Sequence, residues 1–174
     1  MNYEEGREMI FRIPKDLYAA LDDASIFSAI GEFAFKIAKV KKGYFVYNRD
    51  AIQIAQIEFR PYEARLTVAD HGTLTLTREK RATNYDIAPL KLEKEDEQFR
   101  PYQNKIDGEY ALIGSFAEMA FDVYYRAKCV MNVIPDSSDP NFFKIRINEG
   151  GNLIILTLIA IAVNKLNNDP ESKL

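Results

Sequence analysis

Basic side chains form the most suggestive chemical pattern in the sequence. They fall into two groups, each beside a predicted β-hairpin, and the members are Lys36, Lys39, Lys41 and Lys42 in the first group and Arg78, Lys80 and Arg81 in the second. Ammonium and guanidinium groups gathered in this way hold phosphates or anionic lipid headgroups by charge and hydrogen bonds. The alternative is that they serve only solubility, the ordinary role of exposed charged residues.

Nucleophiles and metal-binding side chains are scarce. The single histidine, His71, lies in an Asp-His-Gly turn, and histidine tolerates the unusual backbone angles of such turns. The single cysteine, Cys129, lies in an alternating segment and is predicted to behave as a small apolar residue. One cysteine forms neither an intrachain disulfide nor a multi-cysteine metal site, so a reducing compartment is favoured.

The acidic segments lack the order that metal binding or acid catalysis requires. Residues 136–140, Asp-Ser-Ser-Asp-Pro, carry oxygen ligands but not the spacing and closing glutamate of an EF-hand loop. Residues 93–97 concentrate carboxylates in a charged run without apolar surroundings to raise their pKa. No phosphate-binding glycine loop, nucleophile elbow or Cys/His metal spacing occurs. We therefore predict no metal, no cofactor and no enzymatic activity.

The composition is typical of one folded domain. The chain has 174 residues, 47% of them hydrophobic and 28% charged, with a net charge of -3. No Gly/Ser-rich or Pro-rich linker divides it, so residues 1–174 are predicted to form a single domain. The negative charge disfavours general nucleic-acid binding. The N-terminal segment lacks the basic start and apolar stretch of a signal peptide, which favours a cytoplasmic protein, with peripheral attachment to a membrane as an option.

Apolar residues recur with a period of two through much of the first half, the pattern of half-buried strands. A shift of phase predicts a β-bulge near Ala55 and Gln56. The predicted elements are a strand over residues 9–13, a short helix over residues 15–23, an ambiguous segment over residues 25–33, strands around turns at residues 41–43 and 48–50, a hairpin over residues 64–77, and an exposed charged connection over residues 91–107.

The second half repeats this plan. Residues 121–125 and 129–134 predict two strands joined by a turn at residues 126–128, and residues 143–147 alternate as a third strand. These segments parallel the hairpin and return strand that begin near residue 44, so the chain contains a weak internal pseudo-repeat. Such a succession of strands and turns is typical of β-barrels and sandwiches.

Residues 153–163 form an apolar segment near the C-terminus. The segment is longer than a usual strand, Asn152 is placed to cap a first turn, and Lys165 suits the negative end of a helix dipole. These features predict a helix over about residues 152–166, although the many β-branched residues favour a strand. Such a helix has no polar face, and a membrane span needs about 20 apolar residues, so we predict that it is buried in the protein and not transmembrane.

The order of these segments resembles the terminal half of tubby-like C-terminal domains, a superfamily that includes the plant LURP-one-related proteins and the phospholipid scramblases. The segments that carry the resemblance are residues 106–123, 129–134, 142–148 and 152–163. The likeness is one of pattern and order over about residues 35–166, without a diagnostic motif. It implies a closed antiparallel β-barrel that encloses a hydrophobic C-terminal helix.

The resemblance also implies a function, because tubby proteins bind phosphoinositides, although their Lys/Arg site does not align with particular residues here. Unlike scramblases, the chain lacks a cysteine run suited to acylation and a proline-rich N-terminal region, and residues 167–174 form a polar tail. We therefore expect a non-enzymatic binding module for anionic phospholipid headgroups or for a protein partner. The alternative is a barrel whose cavity holds a small molecule or a catalytic site, which a helix filling the interior would exclude.

Overall fold

Alternating strands make up most of the structure. A computed structural model describes residues 9–14, 23–27, 33–69, 71–77, 110–116, 118–168 and 171. The elements are β1 (Met9–Pro14), β2 (Asp23–Phe27), β3 (Phe33–Val40), β4 (Gly43–Tyr47), β5 (Gln53–Arg60), β6 (Glu63–Val68), β7 (Gly72–Thr77), β8 (Tyr110–Ser115), β9 (Ala120–Tyr125), β10 (Lys128–Pro135), β11 (Phe142–Ile147) and α1 (Leu153–Asn168).

The strands form two antiparallel sheets. One has the order β1-β11-β10-β9-β8, and the other runs in chain order from β2 to β7. The prediction of a mainly β fold with a C-terminal helix is therefore confirmed. Backbone pairing among the described strands does not close either sheet into a barrel, although the edge strands β1 and β2 lie in contact with each other.

The two sheets turn their apolar faces toward α1. In β6, for example, Ala64, Leu66 and Val68 are buried and alternate with partly exposed residues, and Leu66 pairs with the buried Leu74 of β7. The helix contacts β5 and β6 of one sheet and β11 of the other, so it lies between them. Burial of each large apolar side chain stabilises the fold by about 1.5–3 kcal/mol.

The C-terminal helix is buried along nearly its whole length, as predicted. Ile155 is 1% exposed and Ile159 is fully buried. The Oδ1 atom of Asn152 accepts a hydrogen bond of 3.0 Å from the Ile155 amide, which confirms the predicted cap. In the described part of the chain, no helix has both the length and the apolar character needed to cross a membrane.

The predicted polar tail begins later than the sequence suggested. The helix continues to Asn168, and the Asn167 side chain donates a hydrogen bond of 2.6 Å from Nδ2 to the Phe116 carbonyl. This bond ties the last helical turn to the end of β8, because the backbone oxygen of Phe116 lies within reach of an amide side chain. Asn167 and Asn168 therefore belong to the folded helix.

Tight turns set the register of the hairpins. Lys41 and Lys42 form a two-residue turn between the paired residues Val40 and Gly43, and a Cβ atom at Gly43 would overlap the carbonyl oxygen of Ile57. The predicted bulge in β5 is present one residue earlier than expected, because Val46 pairs with Ala55 but the next pair joins Tyr47 to Gln53.

Several predicted segments fall outside the described residues. The N-terminal helix is not shown, since residues 15–22 lie outside the described ranges and Asp23, its last predicted residue, begins β2. Residues 25–27 of the ambiguous segment belong to the same strand. The charged connection over residues 91–107 is also outside the described part of the chain.

Candidate functional site

The turn between β3 and β4 carries two adjacent lysines of the first basic group. Lys41 and Lys42 are both exposed, and the pairing of Val40 with Gly43 places them at the tip of the hairpin. The Lys42 carbonyl accepts a hydrogen bond of 2.7 Å from the Phe59 amide, which fixes the turn against β5. The hairpin tip therefore presents two positively charged side chains to solvent.

The other two lysines of this group do not form a continuous patch with the turn. Lys36 and Lys39 are exposed, but their spacing of three residues places them on opposite faces of β3. Lys39 lies close to the turn. Lys36 is five residues from Lys41, a separation of about 17 Å along a strand. Only Lys39, Lys41 and Lys42 are thus brought together at this end of the hairpin.

Two carboxylates form ion pairs with arginines beside the turn and partly offset the positive charge there. Arg60 Nε lies 2.8 Å from Glu58 Oε1, and Arg65 Nε lies 3.0 Å from Glu63 Oε2. The Arg60 hydrogen bond lowers the pKa of the Glu58 carboxyl, and the positive charges of Arg60, Arg65 and Lys42 act in the same direction. Among the described residues, neither of these two ion pairs includes Lys41 or Lys42.

The second basic group lies outside the described residues, so its relation to the first stays a prediction. Arg78, Lys80 and Arg81 follow directly after β7. The last residue of that strand, Thr77, pairs with Glu63. This pair lies at the same end of the strands as the Lys41–Lys42 turn. β4 and β7 are separated by three strand spacings, or about 14 Å.

A small pocket lies at the N-terminal end of α1, away from the Lys41–Lys42 turn. Its volume is about 150 Å³, and its lining residues are His71, Tyr110, Tyr125, Val130, Gly150, Gly151, Asn152 and Ile155. Contacts at the two ends of α1 show where each end lies in the fold. Asn152 lies beside His71 at the start of the helix, and Lys165 Nζ lies 5.2 Å from the centre of the Phe59 ring near its end. Phe59 adjoins the Lys42 turn, so the pocket and the lysine hairpin are at opposite ends of the molecule's core.

Polar groups of distant segments converge in this pocket. Asn152 Nδ2 and His71 Nε2 are 3.5 Å apart. The rings of Tyr110 and Tyr125 lie 4.9 Å apart at an angle of 36°. Burial raises the pKa of the Tyr110 phenol, and the neighbouring Tyr125 hydroxyl adds to the effect, so Tyr110 is protonated throughout the neutral range.

The acidic loop at residues 136–140 is occupied by the protein's own side chains. Asp136 Oδ1 accepts hydrogen bonds from the amide and hydroxyl of Ser138 at 2.9 and 2.7 Å, and Oδ2 pairs with Arg12. Lys144 Nζ lies 3.9 Å from Oδ1. These contacts with protein side chains occupy both carboxylate oxygens of Asp136. Within the described ranges, no cluster of three or more acidic, histidine or cysteine side chains has metal-site geometry.

Cys129 occupies a more polar setting than the alternation suggested. The register of β9 and β10 shifts between Cys129 and Met131, and Val130 takes the extra buried position. Cys129 is half-buried on the outer side, where Asn132 Nδ2 lies 3.5 Å from its sulfur. A β-bulge of this kind changes which face the following side chains occupy.

Comparison with known proteins establishes a shared fold without assigning a family. No protein-family model matches the chain, and no curated protein matches it. The structure is similar to the X-ray structure of a protein from Arabidopsis thaliana, with a TM-score of 0.62 and 12% sequence identity over 95% of this chain and 94% of that chain. At this level of identity, the likeness concerns the fold alone.

The sequence did not indicate the pocket residues as a group. Asn152 was identified only as a helix cap and His71 only as a turn residue, and they are separated by 81 positions. Tyr110 and Tyr125 carried no distinguishing motif. Their proximity depends on the pairing of β8 with β9, in which Tyr110 is opposite Tyr125. The sequence carries no signal for this pair, because the register of β8 and β9 is set by the fold.

Proposed function

We propose that this chain is a non-enzymatic binding module of the tubby-like superfamily that recognises anionic phospholipid headgroups on a membrane surface. The lysines of the β3–β4 turn make the principal contact. The observation that carries the proposal is the exposure of Lys41 and Lys42, side by side, at the tip of a two-residue turn. A turn of this shape brings both ammonium groups to a flat surface without rearrangement of the sheet.

The charges at this end of the sheet are suited to an anionic surface despite the net charge of -3. Each lysine or arginine near such a membrane contributes about 1 kcal/mol, and the effect acts within a Debye length of about 8–10 Å. Lys39 adds its charge to those of the two turn lysines. Arg78, Lys80 and Arg81 follow β7, which ends on the same side of the sheet as the turn. Local charge therefore outweighs the overall balance.

The tubby-like assignment rests on architecture. A C-terminal helix that is apolar on all sides lies between two antiparallel sheets, and the shared fold with the plant protein extends over nearly the whole of both chains. In the proposed assignment the two sheets close into one barrel around α1. Contact between the edge strands β1 and β2 supports this closure.

The packing of α1 disfavours the alternative of a barrel with a large ligand cavity. Leu156, Leu158 and Ile159 are fully buried among apolar side chains of both sheets. The pocket at the start of α1 has about 150 Å³, whereas sites for drug-sized ligands typically have about 300–1,000 Å³. Recognition of a surface is therefore favoured over enclosure of a sizeable molecule.

Vesicle flotation tests the proposal. The chain is expected to float with phosphatidylcholine vesicles that contain phosphatidylserine or a phosphoinositide, and to stay unbound with phosphatidylcholine alone. The variant Lys41→Glu with Lys42→Glu is expected to lose binding at unchanged melting temperature, since exposed lysines contribute little to stability. An absence of parent binding to anionic vesicles would contradict lipid recognition and favour a protein partner.

A further inference from the structure

We infer that the outer face of the sheet β1-β11-β10-β9-β8 is the contact surface of a homodimer, on which a second copy of this chain packs face to face. In this dimer, Arg146 of each copy lies opposite Asp122 of the other, and the two copies of Ile134 meet at the two-fold axis. The inference is independent of the proposed membrane contact, because the Lys41–Lys42 turn belongs to the other sheet.

Apolar side chains lie on the outer face of this sheet. Ile113 and Ile134 are each 49% exposed, and their sequence neighbours Leu112 and Val133 are buried. Strand alternation therefore directs the two isoleucines away from the core. Ile10 of β1 is partly exposed and alternates with buried residues in the same way. Single exposed apolar residues are normal on a protein surface, so the inference depends on how these side chains are arranged.

One row of outward side chains crosses all five strands, and its order is self-complementary. Neighbouring strands pair these residues in the order Ile10, Arg146, Asn132, Asp122 and Ile113. The row thus contains an apolar, a cationic, an amide, an anionic and an apolar side chain. A two-fold dimer brings the same surface of both copies together. With the axis along the central strand β10, the rotation places Arg146 against Asp122 of the second copy, and Ile10 against its Ile113.

An asparagine separates the two charged members of the row within one copy. Asn132 Nδ2 donates a hydrogen bond of 2.7 Å to Asp122 Oδ1, and Asn132 Oδ1 accepts one of 3.4 Å from Arg146 Nε. These bonds fix the positions of both charged side chains on the sheet. Arg146 is exposed and Asp122 is partly exposed. A second copy would bring an opposite charge to each of them, and exclusion of water by the isoleucines would strengthen the attraction.

The adjoining row of the same face avoids contact between like charges. Lys144 pairs with Arg12 on one side and with Ile134 on the other. Because Ile134 belongs to the central strand, the rotation brings Ile134 of one copy onto Ile134 of the other. The rotation also exchanges β11 and β1 with β9 and β8. It therefore directs Lys144 and Arg12 toward the uncharged pair Ala120 and Ser115 of the second copy.

The size of the face predicts a reversible dimer. The five strands are spaced by about 4.8 Å, and six residues of a strand extend over about 20 Å. The projected area is therefore about 480 Å², below the burial of about 800 Å² per partner in a standard stable interface. The strands of the two copies should cross at about 30°, because both sheets are twisted. We expect a dissociation constant in the micromolar range.

Sedimentation velocity of the full chain over a series of concentrations tests the inference. The parent is expected to shift reversibly from monomer to dimer. Arg146→Glu and Asp122→Lys should each weaken dimerisation about tenfold or more, because each places like charges opposite each other. An equimolar mixture of these two variants should dimerise again, since every contact between the copies then joins opposite charges. This recovery distinguishes a lost contact from a damaged fold.

Ile134→Asp tests the position of the two-fold axis, because it brings two carboxylates together there. This variant should stay monomeric at concentrations at which the parent is dimeric, with a melting temperature close to that of the dilute parent. The matched control is Ile52→Asp, since Ile52 is 59% exposed and lies between β4 and β5 of the other sheet. It should dimerise like the parent. A parent that stays monomeric up to millimolar concentration would overturn the inference, as would dimerisation that Ile134→Asp leaves unchanged.

Discussion

The carboxylate of Asp136 pairs with the guanidinium of Arg12 across 124 positions of sequence. The pair ties β1 to the loop between β10 and β11, and the Arg12 guanidinium also lies 4.1 Å from the centre of the Phe142 ring. The Asp136 side chain is fully shielded from solvent. Hydrogen bonds from Ser138, and next the bond from Arg12, hold its pKa well below the ordinary value. A loop that resembled a cation site instead anchors the first strand.

Asp136→Asn is expected to lower the free energy of unfolding at neutral pH, because Arg12 and Lys144 lose their anionic partner. The contribution of the parent carboxylate is fully present above its unfolded pKa of about 3.9. It is lost as the pH falls from there toward the depressed pKa of the folded state. We therefore expect the difference in the free energy of unfolding between parent and variant, measured with urea, to decrease as the pH is lowered from 7 to about 3.

Asp139→Asn is the matched control for that experiment. Asp139 is 34% exposed and contacts Arg12 only at 3.6 Å, so its substitution should change stability by less than that of Asp136. An equal loss of unfolding free energy in the two variants would contradict the anchoring role of Asp136. So would a difference between parent and Asp136→Asn that increases in acid.

Ile159→Asp is expected to prevent folding. Ile159 is fully buried between the sheets, and a carboxylate there would lack any designated partner. The cost of several kcal/mol is comparable with the total stability of about 5–15 kcal/mol for a typical domain. Ile52→Asp is the control, since Ile52 is 59% exposed and should change stability by about 0.5 kcal/mol or less. A soluble Ile159→Asp variant that melts cooperatively would contradict the buried helix.

Truncation separates the helix from the polar tail. Removal of residues 169–174 is expected to leave the melting temperature unchanged, because these residues offer little apolar surface. Removal of residues 167–174 also deletes the Asn167 bond to Phe116 and should cost about 1 kcal/mol. For a chain of this size, that loss lowers the melting temperature by about 2–4 °C. Identical melting curves would show that the bond contributes nothing.

Local periodicity was sufficient to predict most of the sheet structure. Residues that alternate in one strand, such as Leu66 and Val68, bury the same face whatever their partner strand is. The uniform apolar character of α1 likewise required enclosure by other elements. The sequence did not reveal the shift at Val130, because a bulge depends on the register with β9. Cys129 was therefore placed in an environment that is too apolar.

The candidate sites were predicted less completely, because they depend on pairs that are distant in sequence. The lysine cluster was visible as composition, but strand alternation separates Lys36 from Lys39 onto opposite faces. The placement of Lys36 and Lys39 on opposite faces follows from their spacing of three residues alone. The contact between His71 and Asn152 does not follow from the sequence, because only packing of α1 between the sheets brings them together.

The most direct test of lipid recognition compares Lys41→Glu with Arg49→Glu in one vesicle partition measurement. Both residues are exposed and both substitutions change the net charge equally, but Arg49 follows the other end of β4. Lys41→Glu removes about 1 kcal/mol of attraction and adds a repulsion of similar size, so binding to anionic vesicles should fall about thirtyfold. Arg49→Glu should bind nearly as the parent does. Equal partition of the two variants would contradict recognition through the β3–β4 turn.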